Sequence, residues 1–318
     1  MRKFFNGAII IIIFLIATTL LYTNINNTNQ PSDSSQSSEH SSRNEINTIE
    51  KAPEEDIEKK DKQSEEEPKA ITEEVREAFI QGLESAVGLF VKDDLEIVAI
   101  GDSLTQGVGD STDSGGYVGI IKNTLNDNEN NQKVKVENFG KRGNRTDQLL
   151  KRMEKKEIDA AIKEADIVLI TIGANDVMKI VKENFTNLNY EDFTKEQEGY
   201  KVRLREIFSK VTAANPDAKV YLLGIFNPFD KYFNNIKELD QIMRDWNKIS
   251  ENVTNEYSNV TFIPIADLFH NTEENLLYKE DNFHPNENGY KKMAERVLEY
   301  IKPEIAQESE SAKEEAAN

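Results

Sequence analysis

Short runs of apolar residues alternate along the chain with segments in which apolar residues recur every three or four positions. The short runs cover residues 96–100, 134–139, 166–172, 219–225 and 260–265. They are continuous, which is typical of strands that are buried on both faces of a parallel sheet. A helical pattern follows each run. The pattern therefore predicts a single α/β domain built on a five-stranded parallel sheet.

The helical patterns predict helices over 117–125, 146–156, 235–257 and 287–300, another that starts near 176, and an amphipathic helix over 71–91. Residues 177–200 have neither a strand-like period nor a long helical one. This segment leaves a predicted strand end directly, and loops of this length are often lids or binding loops. We therefore predict that its apolar side chains line a substrate entrance, although they could instead only anchor the loop to the domain. These side chains are Phe185, Leu188, Tyr190 and Phe193.

The two ends of the chain differ in composition from the middle. Arg2 and Lys3 precede an apolar run of 16 residues, from Gly7 to Tyr22. This run is shorter than the ~20 residues of a full membrane span, and it is typical of a signal peptide or a short anchor; a buried core helix is the alternative. We interpret 1–26 as a signal peptide or N-terminal membrane anchor, 27–70 as a disordered polar linker, 71–303 as the globular domain and 304–318 as a polar tail.

The basic N-terminus predicts that this end stays in the cytoplasm and that the remainder is exported. The domain would then be extracellular and held at the cell membrane, or secreted if the segment is cleaved.

Composition excludes several functions. The formal net charge is −19, which disfavours nucleic acid as a partner. The chain has no cysteine, so disulfides, thiol catalysis and thiolate metal sites are excluded. It has only three histidines, which nearly excludes a histidine-rich metal site.

Polar residues follow the strands at the edge where the carboxyl ends of parallel strands meet. Ser103 follows the first run, Gly143 lies in a turn after the second, and Asn175 follows the third. Asp281 and His284 come just before the last helix. A histidine accepts a serine proton near neutral pH, and a carboxylate three residues away reaches its ring through a turn. These residue types are therefore the set that acyl transfer needs: a nucleophile, oxyanion donors, a base and a group that orients the base.

Each of these residues also has a simpler explanation when it is taken alone. Ser103 could cap a helix, because serine leads the capping preferences. Asn175 could occupy a turn, and the stretch around His284 could simply begin a helix. Asp102, Asp281 and His284 could hold a metal, but one histidine and two separated aspartates are a poor donor set. Their joint placement at successive strand ends favours a catalytic site, and we expect neither a metal nor a cofactor.

Four blocks of the sequence resemble the SGNH, or GDSL, hydrolase family of esterases and lipases. They are GDSLT (101–105), GKRGNRTDQLL (140–150), IGANDV (172–177) and DNFHPNENGY (281–290), in the order in which the family has them. The likeness covers about residues 95–302 and is greatest for the bacterial extracellular lipase/acylhydrolase-like branch. It implies a flavodoxin-like three-layer α/β/α sandwich and ester hydrolysis through an acyl-enzyme intermediate.

The resemblance also implies a role for each site residue. Ser103 attacks the ester, His284 is the base and Asp281 orients it. The backbone N–H groups of Ser103 and Gly143 and the side chain of Asn175 hold the oxyanion. The substrate would be a small-molecule or lipid ester, but the family is broad and its motifs do not name one. An O-acetyl esterase that acts on cell-wall carbohydrate and a catalytically idle surface binding protein stay open as alternatives.

Overall fold

The computed structural model describes residues 95–112, 114–126, 134–184, 186–230 and 236–316. The predicted signal or anchor segment, the predicted linker and the helix predicted over 71–91 lie outside these residues. Among the helices that are described, none combines the length and the apolar character that crossing a membrane requires.

The centre of the domain is a five-stranded sheet in which every pairing is parallel. Its strands are β1 Glu96–Gly101, β2 Lys135–Gly140, β3 Ile167–Thr171, β4 Lys219–Leu223 and β5 Val260–Ile263. They lie in the order β2-β1-β3-β4-β5. Each predicted apolar run overlaps one of these strands to within a residue or two at its ends. The predicted five-stranded parallel sheet is therefore confirmed.

Helices connect the strands. They are α1 Ser103–Gln106, α2 Gly116–Asn126, α3 Thr146–Arg152, α4 Lys156–Glu164, α5 Ala174–Glu183, α6 Tyr190–Ala214, α7 Lys237–Thr254, α8 Ala266–Phe269 and α9 Glu287–Ala316. Two differences from the predicted helices concern their bounds. The helix predicted over 146–156 ends at Arg152, and a second helix starts at Lys156. The last helix continues to Ala316, well beyond its predicted end near 300.

The prediction of an irregular loop over 177–200 was wrong. The helix α5 reaches Glu183, and α6 begins at Tyr190. Asn189 and Asp192 form a capping box at the start of α6, in which the Asn189 N–H donates to the Asp192 carboxylate at 3.1 Å. The polar residues that suggested a loop therefore begin a helix, because such residues satisfy the free N–H groups of the first turn.

The core has two parts, one on each face of the sheet. In β1, Val98 and Ile100 pack into the part that includes residues of α3 to α7, whereas Ile97 and Ala99 pack into the part that includes residues of α2 and α9. Burying an aliphatic side chain of this size contributes about 1.5–3 kcal/mol. Because alternate residues of a strand are buried on opposite faces, the inner strands β1 and β3 are almost wholly apolar. The edge strand β2 is less buried and carries Lys135, Glu137 and Asn138. The arrangement is the predicted flavodoxin-like three-layer α/β/α sandwich.

The chain order places a crevice at the carboxyl ends of β1 and β3. From β1 the chain passes to β2 on one side, and β3 then returns to the other side of β1. In open parallel sheets, ligands bind outside the strand ends where the direction of winding reverses. Ser103 comes two residues after the end of β1, and Asn175 comes four residues after the end of β3.

Candidate active site

Ser103 is the first residue of α1, immediately after the turn that follows β1. Asp102 caps this short helix, because its Oδ1 accepts the backbone N–H of Leu104 at 3.0 Å. The hydroxyl of Ser103 is therefore not needed as the cap. The Ser103 side chain faces a cavity, although only 5% of the residue is exposed.

Ser103, His284 and Asp281 form a line of hydrogen bonds. The Ser103 Oγ lies 2.9 Å from the His284 Nε2, and the His284 Nδ1 lies 2.5 Å from the Asp281 Oδ2. A carboxylate only accepts hydrogen bonds, so Nδ1 carries the ring proton and Nε2 is left to accept from the serine hydroxyl. This geometry allows proton transfer from Ser103 to His284.

The surroundings of Asp281 keep it ionised. Burial acts to raise the pKa of its carboxyl, but hydrogen bonds from the His284 ring and from the backbone N–H groups of Phe283 and His284 outweigh burial, and the pKa is lowered. An ionised Asp281 fixes the ring tautomer and favours the imidazolium that forms when His284 takes a proton.

A glycine allows the nucleophile loop to approach the histidine loop. Gly109 has a φ of 96°, and a Cβ at this position would lie 2.5 Å from the carbonyl oxygen of Pro285 and 3.1 Å from the Cβ of His284. The Tyr290 hydroxyl in α9 donates to the Val108 carbonyl at 2.7 Å. The glycine-rich sequence after Ser103 thus allows two loops that are far apart in the chain to pack closely together.

Gly143 and Asn175 line the same cavity as Ser103. Gly143 has a φ of 79°, in the region that favours glycine, and a Cβ there would meet nothing within 4 Å. The Asn175 Nδ2 donates to the Asn144 carbonyl at 3.0 Å, which holds the amide beside the Gly143 turn. A side-chain amide has two N–H donors, and this hydrogen bond uses one of them.

A partly buried ion pair contacts the helix that carries Asn175. The Asp176 carboxylate accepts from the Thr146 N–H at 3.0 Å, from the Thr146 hydroxyl at 2.5 Å and from the Arg203 guanidinium at 3.2 Å. Burial raises the pKa of Asp176, and these hydrogen bonds and the Arg203 charge oppose the rise. The contacts join α5 to the start of α3 and to α6.

A second buried network lies under Ser103. The Thr171 hydroxyl, at the end of β3, donates to the Asp102 Oδ1 at 2.8 Å, and the Thr105 hydroxyl lies 2.7 Å from that of Thr171. Tyr117 adds a contact of 3.2 Å to the Thr105 hydroxyl. Burial raises the pKa of Asp102 to about 7 despite the hydrogen bonds from Thr171 and Leu104. This network joins the nucleophile turn to the neighbouring strand.

The cavity around Ser103 has a volume of about 270 Å³. Its lining consists of Ser103, Arg142, Gly143, Arg145, Asn175, Met178, Lys179, Lys182, Glu183, Phe229, Asp281, Phe283 and His284. The structure therefore brings the five predicted catalytic and oxyanion residues to one cavity. Their roles in a reaction stay predictions.

The predicted substrate-binding residues do not line this cavity. Leu188 and Phe193 are buried in the core, and the Phe193 ring packs edge-on against Trp246. The Tyr190 hydroxyl donates to the Asp245 carboxylate in α7. Phe185 lies outside the described residues. The contacts of Leu188, Tyr190 and Phe193 support the alternative of structural anchoring.

The side chains that the sequence suggested as metal ligands have other contacts. The Asp102 carboxylate accepts from Thr171 and Leu104, and Asp281 and His284 bond to each other. Within the described ranges, a different group of side chains has donor atoms close enough together to hold a metal ion. Asp230, Asp240 and His270 each place one donor atom within 4.8 Å of the others. It follows β4 and β5 and does not include Ser103.

The three-layer sandwich and the hydrogen-bonded serine, histidine and aspartate at its strand ends fit a serine hydrolase. Because a fold alone does not fix a function, the match to a family of lipases and acylhydrolases is what identifies the chain as a carboxylic ester hydrolase. The chain belongs to the GDSL-like Lipase/Acylhydrolase family, whose sequence model matches residues 99–292.

Individual proteins are similar over most of the described domain. The chain is 36% identical over 225 residues to the uncharacterized protein YpmR of Bacillus subtilis, which covers 70% of this chain and 88% of YpmR. It is 27% identical over 207 residues to the spore germination lipase LipC of Bacillus licheniformis, covering 64% of this chain and 94% of LipC. A solved lipase from a goat rumen metagenome has the same fold, with a TM-score of 0.57 and 24% identity over 64% of this chain and 95% of that one.

Proposed function

We propose that the protein is a serine esterase that hydrolyses carboxylic esters through Ser103, His284 and Asp281 and an acyl-enzyme intermediate. The observation that carries the proposal is the line of hydrogen bonds, 2.9 Å from Ser103 to His284 and 2.5 Å from His284 to Asp281. The similarity to a protein named as a lipase supports ester hydrolysis over other acyl transfers.

In the first step, the Ser103 Oγ attacks the carbonyl carbon of the ester while its proton passes to the His284 Nε2. The electron pair of the carbonyl π bond moves to the oxygen. The Gly143 N–H, the Ser103 N–H and the free N–H of the Asn175 amide are the donors proposed for this oxyanion. Such donors act mainly in the transition state, where the negative charge develops.

In the second step, the oxyanion collapses, the C–O bond to the alcohol breaks, and the leaving oxygen takes the proton from His284. Water then repeats the sequence on the acyl-enzyme: His284 removes one proton from the water, and the Ser103 oxygen leaves as a hydroxyl. Asp281 stabilises the imidazolium in both halves and does not itself need to be protonated.

A panel of p-nitrophenyl esters of increasing acyl length tests this proposal. We expect a burst of nitrophenol close to one equivalent per enzyme, because an acyl-enzyme accumulates when its hydrolysis is slower than its formation. Hydrolysis of the acetate ester alone, together with acetate release from cell-wall carbohydrate, would instead favour the O-acetyl esterase. No turnover of any ester would favour the idle binding protein and contradict the proposal.

We also propose that an N-terminal anchor holds the enzyme on the outer side of a cell membrane. The support is the apolar run from Gly7 to Tyr22 after two basic residues. Cell fractionation and external protease treatment of intact cells test it. Recovery of the full chain in the soluble cytoplasmic fraction would contradict it.

A further inference from the structure

The cavity around Ser103 carries more positive than negative side chains, although the whole chain has a net charge of −19. Four of its lining residues are cations: Arg142, Arg145, Lys179 and Lys182. The two acidic lining residues are Glu183 and Asp281, and the Asp281 carboxylate is hydrogen-bonded to His284. A cavity with an excess of one charge sign raises the local concentration of substrates of the opposite sign.

Two of the cations share a helix face with Asn175. Residues 175, 178, 179 and 182 of α5 all line the cavity, and their spacing of three, four and seven residues places them on one side of the helix. With a rise of about 1.5 Å per residue, Lys179 lies ~6 Å and Lys182 ~10 Å along the helix axis from Asn175. A substrate group held by these lysines would therefore extend away from the scissile carbonyl along α5.

Not all of this charge is neutralised by neighbours. The Arg145 guanidinium pairs with Asp147 at 2.9 Å, and Lys179 lies 3.6 Å from Glu183. Across the described residues, no ion pair is found for the side chain of Arg142 or that of Lys182. Arg142 comes from the turn after β2 and Lys182 from α5, so two cations from separate segments are left to meet a ligand.

The remaining lining includes apolar side chains. Met178, Phe229 and Phe283 line the cavity, and the rings of Phe229 and Phe283 are 6.2 Å apart in an edge-on arrangement. The lining thus suits a molecule that has an apolar acyl part and a separate negative group.

We infer that the substrate is an ester of a phosphorylated alcohol, in which the phosphate lies along α5 and contacts Arg142 and Lys182. This inference rests on the proposed ester hydrolysis. A phosphate group fits because it offers at least three acceptor oxygens to donors that approach from different directions. Arginine and lysine are the side chains that commonly bind such groups.

A matched pair of soluble esters tests the inference. Glycerol monobutyrate and 1-butyrylglycerol 3-phosphate have the same acyl group and the same ester bond, and differ by the phosphate. With the full chain, we expect kcat/KM to be on the order of 10-fold higher for the phosphate ester at low salt, since charge-assisted hydrogen bonds are about twice as strong as neutral ones. The preference should shrink as salt screens the charges.

Variants test whether Arg142 and Lys182 cause the preference for the phosphate ester. In the double variant Arg142→Gln/Lys182→Gln, we expect the ratio of the two kcat/KM values to fall towards one. The control is Lys163→Gln/Lys248→Gln, which removes the same charge from exposed lysines outside the cavity that pair with Asp159 and Glu251. The control should keep the wild-type ratio.

Different results would overturn the phosphate inference and the proposed ester hydrolysis. Equal hydrolysis of both esters, or a ratio that survives in the Arg142/Lys182 variant, would overturn the phosphate inference and leave ester hydrolysis intact. Failure to release butyrate from either ester or nitrophenol from any p-nitrophenyl ester would overturn the proposed function itself. An equal preference for a butyryl ester of a carboxylated alcohol would overturn the choice of phosphate.

The phosphate could belong to a free phosphorylated alcohol or to a lipid headgroup. Vesicles of phosphatidylglycerol distinguish these sources. Acyl release from the vesicles as well as from the soluble ester would identify a lipid substrate, whereas release from the soluble ester alone would identify a free phosphorylated alcohol.

Discussion

Asn175 holds its amide at the cavity by donating one hydrogen bond to the Asn144 carbonyl. This contact explains why an asparagine is useful here, because one N–H positions the side chain and the other remains free. Ser103 is arranged in a similar way, since Asp102 supplies the helix cap and leaves the serine hydroxyl to His284. At the residue scale, Asp102 performs the capping task that the simpler explanation gave to Ser103, and Asn175 lies in the first turn of α5 and not in a turn between elements.

Replacing Asn175 tests the oxyanion assignment. We expect Asn175→Ala to lower kcat by about 10²–10³, the usual loss for one oxyanion donor. KM should change little, because the lost contact forms mainly in the transition state. The control is Asn184→Ala, at the end of the same helix and outside the cavity lining, where the Nδ2 donates to the Ile180 carbonyl. Equal effects of the two variants on kcat would contradict the assignment.

Asp102 predicts a pH dependence of stability. Its pKa is raised from 3.8 to about 7 by burial, so between these values the folded protein keeps a proton that the unfolded chain releases. The free energy of unfolding should therefore fall as pH rises from about 4 to about 7. Asp102→Asn does not titrate, so its denaturation midpoint should fall less over this range. Parallel curves for the two proteins in urea denaturation would show that Asp102 does not contribute.

The helices around the site are joined by Asp176, Thr146 and Arg203, which belong to α5, α3 and α6. The Arg203 guanidinium bonds both the Thr146 hydroxyl, at 2.6 Å, and the Asp176 carboxylate. Of these helices, α5 carries Asn175 and α3 follows the Gly143 turn. Their mutual position therefore sets the distance between the proposed oxyanion donors.

Removing the guanidinium should misplace those donors. We expect Arg203→Ala to lower kcat on the order of 10-fold or more with a smaller effect on KM, because small displacements of catalytic groups are costly. Arg203→Lys should restore part of kcat, since it keeps the charge. Arg205→Ala, two residues along the same helix, removes an exposed pair with Glu256 and should leave kcat close to wild type. If Arg203→Ala changes only the melting temperature, the ion pair is purely structural.

The burial of Leu188 and Phe193 in the core leads to another prediction. Leu188→Ala and Phe193→Ala should each lower the free energy of unfolding by about 2–5 kcal/mol, the range for emptying a packed core site. The ratio of kcat/KM for long and short acyl esters should stay unchanged. Met178→Ala, which alters the cavity lining, should change that ratio. A changed ratio in the Leu188 or Phe193 variant would restore the predicted role in substrate binding.

The start of α6 shows why part of the fold was not predicted. Tyr190, Phe193 and Tyr200 are three and seven residues apart, which fits a helix, but the intermediate position 197 is Gln. The polar Gln197 and the helix-disfavouring Gly199 interrupt the helical spacing of apolar residues. The later part of the helix packs on the core through Leu204, Phe208 and Val211, so tertiary packing stabilises a segment whose own pattern is weak.

At the scale of the whole molecule, the parallel sheet explains how much of the site was predictable. The inner strands β1, β3 and β4 are buried on both faces and almost wholly apolar, which made them readable from the sequence. The edge strand β2 has only Val136 and Phe139 as large apolar residues, and its pattern is weaker. Parallel strands end at one edge, so Ser103 and Asn175 were expected near each other. The contacts of Arg203 with Thr146 and Asp176 link positions 57 and 27 residues apart. No local pattern marks such pairs, so they required the structure.

The most direct test of the account is whether Ser103 is the nucleophile. A fluorophosphonate probe reacted with the full chain should modify one residue, which peptide mass spectrometry should identify as Ser103, and an ester substrate should slow the reaction. Ser103→Ala should lose both the labelling and nearly all p-nitrophenyl ester hydrolysis while it keeps the wild-type melting temperature. Labelling of a different residue, or hydrolysis by folded Ser103→Ala at the wild-type rate, would contradict the account.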